Sequence, residues 1–285
     1  MNAKQEIIKS GLGLLKTTLG NERALTTAKT LIRRLPHTYA FPLTWICLEE
    51  FPVESVSERH WLYGSPRQFS DVKVKVNPKC LSSRFFSISG YFEEALTQEI
   101  LSKQREGLLV DIGANYGYYS VLWLQNPKNR AIAVEPVTEY VNLLQENLKP
   151  YSNRHHIFAG CMGDYDGVAL LDTCGDPTML SRVVSSDTQA NTRQVPMLTL
   201  NSLLAKYNEE RISVLKIDAE GYDIKILETC KPLFEAKRIQ TVFWETAATS
   251  EFSVHAEGER AIAQFLESLG YTKILSGSVT GYELR

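Results

Sequence analysis

Apolar and polar residues recur along this chain with two different periods, and the changes of period mark its organisation. From Leu108 onward, short apolar runs bounded by turn residues take turns with segments of helical spacing. The runs Leu108–Ile112, Arg130–Val134 ("RAIAV"), 212–218 ("ISVLKID") and 239–245 ("IQTVFWE") read as buried strands, and His156 begins another. Between them, 118–125, Thr138–Leu148, "TLNSLLAKY", "YDIKILETC" and 257–269 read as helices. The run 168–173 ("VALLDT") reads as part of a hairpin, and "YTKILS" and "GYELR" close the chain as two short strands. Strands alternating with helices predict an α/β fold on a mostly parallel sheet covered on both faces. The closing pair predicts an antiparallel hairpin at the sheet edge.

Upstream of Leu108 the pattern is mixed. Ile7, Ile8, Leu12, Leu15 and Leu19 recur at helical spacing, as do Leu25, Ala28, Leu31, Ile32 and Leu35. Residues 71–77 ("DVKVKVN") alternate and predict a half-exposed strand. "SRFFSISGYFEE" predicts a short apolar strand and a break at Gly90, with a helix through "EEALTQEILSKQ". The expected organisation is a helical and mixed N-terminal extension over 1–84 and a main domain over 85–285.

Composition narrows the classes. With 285 residues, 44% of them hydrophobic and 22% charged, the chain has the makings of a globular protein with a sizeable core. A net charge of −2 gives no reason to expect a nucleic-acid partner. Cys47, Cys80, Cys161, Cys174 and Cys230 are odd in number and form no C-x-x-C pair, which predicts reduced thiols in a cytoplasmic protein. No apolar run reaches bilayer length, and no signal peptide is evident. Residues 1–35 nevertheless hold Lys4, Lys9, Lys16, Arg23, Lys29, Arg33 and Arg34 against Glu6 and Glu22, a local excess of +5. One reading is a basic amphipathic helix that touches a membrane or a partner. The other is a cap packed on its own domain or on a second subunit, the commoner fate of an apolar helix face.

Candidate chemistry concentrates where the strands end. "DIGANYGYYS" (111–120) is a strand, a tight turn and a helix start. A dinucleotide turn needs G-x-G-x-x-G so that backbone can approach the pyrophosphate. Gly113 and Gly117 are present, but Asn115 holds the middle position. Its side chain can hydrogen-bond an amino-acid head, and Asp111 adds an acceptor for an ammonium group. Glu135 ends the next strand, where a carboxylate accepts from ribose hydroxyls. A ribose diol with an amino-acid head describes S-adenosylmethionine. Equally, the glycines can shape a turn alone and Glu135 can cap the next helix.

"VDIGANYGYYS", "AIAVEP", "CMGDYDG" and "LKIDAEGYDIKIL", in this order, resemble the FkbM family of S-adenosylmethionine-dependent methyltransferases over about residues 85–250. The resemblance implies a class I methyltransferase, Rossmann-like fold with a seven-stranded sheet whose last strand is antiparallel. It implies methyl transfer to oxygen on a sugar, glycan or secondary metabolite. Through "SGYFEEALT" it also implies that Glu93 lies near the cofactor. Asn201 and Asp223 depart from the family pattern; Asn201 can serve as a helix N-cap, while Asp223 is a shortened carboxylate.

By the same strand-end logic, Met162 and Asp164 in "AGCMGDYDG" are candidates to meet the adenine, unless that loop is simply a turn into a hairpin. Moving a methyl group from a sulfonium to a hydroxyl needs alignment and removal of the hydroxyl proton. Asp218, Glu220 and Glu245 are the candidate bases, with Asp218 also a cofactor-site candidate. Lys216 points to the same side of its strand as Asp218 and can keep it ionised. Asp218 and Glu245 can alternatively hold Mg²⁺, although two carboxylates are a thin ligand set. His255 is a further base candidate in a loop. Two other classes remain open. One is an NAD-linked oxidoreductase, opposed by Asn115. The other is a non-catalytic cofactor-binding protein anchored by its basic N-terminus.

Overall fold

The apolar runs beyond residue 100 pair into two sheets, one of seven strands and one of four. The computed structural model describes residues 3–102, 105–172, 182–184, 192–246 and 253–285. Cys174 lies outside the described residues. The chain divides into two units, Met1–Glu94 and Ala95–Arg285.

The first unit contains α1 (Ala3–Leu19), α2 (Asn21–Ile32), α3 (His37–Glu50), the two-residue strands β1 (Tyr63–Gly64) and β2 (Val74–Lys75), and α4 (Leu81–Ser89). Its core gathers Leu25, Ala28 and Ile32 from α2, Cys47 and Leu48 from α3, Trp61, and Phe85 and Ile88 from α4. Leu12 and Leu15 of α1 pack against this core, whereas Ile7, Leu19 and Leu31 of the same helical pattern are exposed. The apolar faces are therefore wider than the core they meet.

The cationic excess of residues 1–35 is partly absorbed inside this unit. Lys9 and Lys16 pair with Glu49 and Glu50. Lys29 donates to the His60 carbonyl and the Ser87 hydroxyl, and burial pulls its pKa down to about 7. Arg33 donates to the carbonyls of Ser65, Ser87 and Ile88. Two of these carbonyls close the end of α4, where a cation meets the negative end of the helix dipole.

Two local expectations are corrected here. Residues 81–89 form a helix, α4, although the residues read as a strand, because Phe85, Ile88 and Ser89 fall on one helical face and are buried. Of 71–77 only Val74–Lys75 is strand, since its strand partner among the described residues is the two-residue β1. The compact units meet at Glu94/Ala95, and α4 supplies part of the N-terminal core.

The second unit runs α5 (Glu94–Leu101), β3 (Leu108–Ile112), α6 (Tyr118–Trp123), β4 (Arg130–Val134), α7 (Thr138–Leu148) and β5 (His155–Phe158). Next come β6 (Cys161–Met162), β7 (Gly167–Asp172), β8 (Arg182–Val184), β9 (Thr192–Leu198) and α8 (Leu200–Tyr207). The remainder is β10 (Ile212–Ile217), α9 (Asp223–Thr229), α10 (Lys231–Glu235), β11 (Ile239–Glu245), α11 (Ser253–Ser268), β12 (Tyr271–Leu275) and β13 (Val279–Leu284). The α8 cap is Thr199, whose hydroxyl accepts from the Ser202 N–H, so Asn201 lies inside the helix and is not its N-cap. His255 lies in the first turn of α11 and not in a loop; its side chain falls outside the described residues.

The seven-stranded sheet has the order β12-β13-β11-β10-β3-β4-β5, parallel except where β13 runs antiparallel to both β11 and β12. This is the class I methyltransferase arrangement, with the last strand antiparallel as the resemblance implies. A second, four-stranded sheet has the order β6-β9-β7-β8, and β7 is antiparallel to both of its neighbours, as the hairpin reading expects. The chain leaves β3 toward β4 on one side and later returns to lay β10 on the other. The strand order thus reverses between β3 and β10, and the region beyond their carboxyl ends is where open α/β sheets bind ligands. Every residue of β3 is buried, so it is the turn beyond the strand that can meet a ligand.

Among the described residues, no helix is long and apolar enough to cross a membrane. Leu25 is fully enclosed in the first unit's core. Leu25→Ala should lower stability by about 2–5 kcal/mol through lost transfer energy and a residual cavity. A urea titration will show this as a lower midpoint; an unchanged midpoint would mean that α2 does not anchor that core.

Candidate active site

The turn after β3 is fixed from three sides before any ligand is considered. Gly113 and Ala114 both donate their N–H groups to the Val134 carbonyl at the end of β4, at 3.0 and 2.9 Å. Asn115 donates its N–H to Glu135 Oε2 at 2.8 Å. On the other side, Lys216 Nζ donates to the carbonyls of Ile112 and Gly113 at 3.3 and 3.0 Å. Gly113 has φ +70°, and a Cβ on it would lie 1.9 Å from the Asp218 carbonyl oxygen. This position needs glycine twice: for its backbone conformation and for the approach of the β10 loop. Gly117, with φ +88°, brings its backbone against Leu144 of α7, where a Cβ would fall 2.5 Å from Cδ1.

Carboxylates and one ammonium line this end of the sheet. Asp111 sits in β3 in register with Lys216 of β10, so both side chains leave the sheet on the same face. Asp111 has no exposure, accepts from the Ser120 hydroxyl at 2.7 Å through Oδ2, and leaves Oδ1 without a hydrogen-bond donor, 3.7 Å from Lys216 Nζ. Burial raises its pKa, against the attraction of Lys216. Glu135 is buried and accepts from the Asn115 and Val137 N–H groups, one on each oxygen. Burial pushes it up to about 7 in spite of those bonds. Both expected uses of Glu135 are therefore compatible: it organises the turn and caps the approach to α7, while each oxygen keeps a further lone pair.

The β10 loop carries the rest. Asp218 accepts from Lys216 at 3.1 Å and is partly exposed. Glu220 takes a left-handed backbone, φ +48°, which costs about 1–3 kcal/mol in a residue with a side chain. Its pKa is driven to about 8, first by burial and then by the negative charges of Asp218, Glu245 and Asp223. Asp223, first residue of α9, is buried, accepts from the Ala219 N–H at 3.3 Å through Oδ2, and has Oδ1 without a donor. Its pKa rises to about 6 by burial and the charge of Asp218. Glu245 ends the neighbouring strand β11 and is exposed.

Other candidate residues are placed differently. Met162 is buried in the main core with Phe158 and Leu200, and its strand pairs with β9. Asp164 accepts from the Tyr222 hydroxyl at 2.9 Å, which joins the third loop to the β10 loop. The two residues stand 58 positions apart, and neither pattern nor spacing announces that contact. Sequence pattern does not announce the reach of Lys216 to the carbonyls of β3 either, although a lysine in an apolar strand is its signal. Glu93 belongs to the first unit and has φ +41°. Tyr116, Tyr119 and Trp244 are buried, and Trp244 stacks on Tyr282. Among the described residues no group of three or more His, Cys, Asp or Glu side chains is placed to hold a metal ion.

Comparison with known proteins identifies the family. Residues 111–273 match the family described as the methyltransferase FkbM domain. No curated protein gives a match. Solved structures of similar fold include a precorrin-6y C5,15-methyltransferase from Geobacter metallireducens, 14% identical, covering 67% of this chain and 87% of that one at a TM-score of 0.39. An S-adenosylhomocysteine-bound methyltransferase from Podospora anserina is 10% identical, covering 67% and 76% at a TM-score of 0.38. A protein of the NADB-Rossmann superfamily from Streptococcus agalactiae is 11% identical, covering 68% and 69% at 0.40. Likeness at this level says nothing about substrate.

The glycine contact and the raised carboxyls each make a measurable demand. Gly113→Ala forces both the left-handed backbone and the Asp218 contact to give way. It should cost at least about 1–3 kcal/mol, read as a lower melting temperature. Glu135 and Glu220 hold their protons more tightly folded, at about 7 and 8, than at the ordinary 4.5 of an unfolded chain. The folded state then binds more protons than the unfolded one, so stability falls as pH rises from about 4.5 through about 8. Glu220→Gln should flatten that fall in a series of melts, and an unaltered slope would show that Glu220 is not a buried acid.

Proposed function

The chain belongs to the FkbM methyltransferase family, and from that premise we propose that it transfers the methyl group of S-adenosylmethionine to a hydroxyl oxygen. The observation that carries this reading is the shared contact of two loops, in which the Gly113 turn and the Asp218 loop touch through backbone. A cofactor held by the first is thereby presented to the carboxylates of the second.

The residues present fit the cofactor. Glu135 keeps acceptor capacity for the ribose diol. Asp111 keeps one oxygen without a donor, suited to an ammonium group or to a water that bridges to it. Oδ1 of Asn115 accepts from the Tyr116 N–H, which turns its amide nitrogen into the available donor for a carboxylate. Asp164 completes the set on the adenine side, through its bond to Tyr222. Met162 contributes here through its backbone, since its side chain lies in the core. A dinucleotide is disfavoured by Asn115 between Gly113 and Gly117.

When bound, S-adenosylmethionine supplies an electrophilic methyl on a sulfonium. The chain's own task is to align the acceptor and take its proton. Glu220 is the proton acceptor in this proposal, because a carboxylate with a pKa near 8 matches a base working near neutrality. Asp218, held by Lys216, orients the hydroxyl, and Glu245 adds negative charge that strengthens Glu220 as a base. Mg²⁺ is not needed on this route, and Lys216 already supplies a positive charge to Asp218.

The acceptor class we favour is a sugar, glycan or secondary metabolite rather than a nucleic acid, given a net charge of −2. Cys47, Cys80, Cys161 and Cys230 are buried free thiols, which supports a reducing, cytoplasmic setting.

Calorimetry with S-adenosylmethionine and S-adenosylhomocysteine tests the cofactor. Micromolar binding is expected, weakened at least about tenfold, or about 1.4 kcal/mol, by Glu135→Ala. Binding of NAD and of neither sulfur compound would overturn the reading. With a labelled methyl donor and a panel of hydroxylated acceptors, Glu220→Gln should lower transfer by about 10²–10⁴-fold. Full activity in that variant would remove Glu220 as the base.

A further inference from the structure

Lys216 is the only lysine or arginine in the buried class among the described residues. Its ammonium lies 3.0 Å from the Gly113 carbonyl, 3.3 Å from the Ile112 carbonyl and 3.1 Å from Asp218 Oδ2, three acceptors for three N–H groups. One of these acceptors ends β3, one belongs to the turn that follows it and one to the loop after β10. Asp111 Oδ1 stands 3.7 Å away, and the Tyr119 ring of α6 lies with its centroid 5.6 Å from Nζ.

We propose that Lys216 is a positioning residue for methyl transfer: its ammonium clamps the cofactor turn to the Asp218 loop and is the shared counter-charge of the carboxylates around them. The inference rests on the methyl-transfer reading above and adds to it a residue that touches neither the donor nor the acceptor.

The charge argument has named members on every element around it. Asp111 comes from β3, Glu135 from the end of β4, Asp218 and Glu220 from the β10 loop, and Asp223 from α9. Lys216 favours the ionised forms of Asp111, Glu135, Glu220 and Asp223, against burial and against their mutual repulsion. Glu245 at the end of β11 adds only negative charge to this set. A neutral side chain at position 216 would leave the carboxylates to share protons instead of presenting charge. It would also take the Lys216 donor from the Gly113 carbonyl, while the Ile112 carbonyl keeps the Asp218 N–H, so the Gly113 turn would lose its side-chain hold on one side. The contact between Gly113 and Asp218 tolerates no Cβ, and a small displacement there moves donor and acceptor relative to each other.

The first test needs no ligand. In protein with labelled aspartate and glutamate carboxyls, followed by NMR across pH, Asp111, for which Lys216 is the leading neighbouring charge, should titrate at higher pH in Lys216→Met, with Glu135 and Glu220 moving the same way by less, and all should return toward wild type in Lys216→Arg. The second test is calorimetry with S-adenosylmethionine from about pH 6 to 9. Lys216→Met should bind at least tenfold more weakly near pH 7, with the profile displaced to higher pH, and Lys216→Arg should recover most of the loss. Lys216→Gln, which keeps donors without charge, replaces the methionine variant if that fails to fold, and the same displacement is expected. Unmoved titrations together with wild-type binding would overturn the proposal. So would an arginine variant no better than methionine, which would mark Lys216 as packing alone. A wild-type protein that binds no S-adenosylmethionine would sink the donor reading, and the ligand-free titrations would then decide the role of Lys216 by themselves.

Discussion

The backbone contact between Gly113 and the Asp218 carbonyl is the constraint on which the site depends. It exists because β3 and β10 are parallel neighbours at the point where strand order reverses, so their loops leave the sheet side by side. A side chain at position 113 would hold the loops apart. Absence of a Cβ therefore brings the glycine turn and a carboxylate-bearing loop within reach of one lysine. The turn itself has little freedom left, because its N–H groups go to Val134 and Glu135 and its carbonyls to Lys216. Such a turn needs little reorganisation on binding, and that is how a site keeps more of its interaction energy as affinity.

Charge is the second organising feature. Several carboxylates are drawn to one end of the sheet and buried to different depths, and one ammonium answers them. Burial separates their proton affinities, with Asp223 near 6, Glu135 near 7 and Glu220 near 8. Groups of one chemical type thereby hold their protons to different degrees near neutral pH. The left-handed backbone of Glu220 shows that the loop also stores strain at the residue proposed as the base.

The N-terminal unit obeys another logic. Its helices meet around Trp61, and its lysines and arginines turn inward to carboxylates and to carbonyls at the end of α4. A sequence that looks strongly basic over 35 residues thus keeps part of that charge for internal bonds. The helix α3 contains Pro42, and local pattern does not predict it, because a proline inside a segment argues against a helix. Burial of Thr44, Cys47 and Leu48 outweighs that cost. For 81–89 the aromatic and β-branched residues favour a strand in isolation. Among the described residues no neighbouring strand is there to pair with it, and Phe85 packs with Tyr91 and Trp45 instead.

By itself the sequence determined the alternation of strands and helices after Leu108, the glycine turn, and the row of acidic strand ends at 111, 135, 218 and 245. Those features are local: period, turn chemistry and the residue that ends a strand are written in adjacent positions. Tertiary structure alone decided which acids share a lysine, that Asp164 meets Tyr222, that Met162 belongs to the core, and that Asp218 adds to the backbone demand for glycine at 113. Each of these joins positions far apart in sequence, and they are brought together by the packing of the sheet and its loops, which no local pattern encodes.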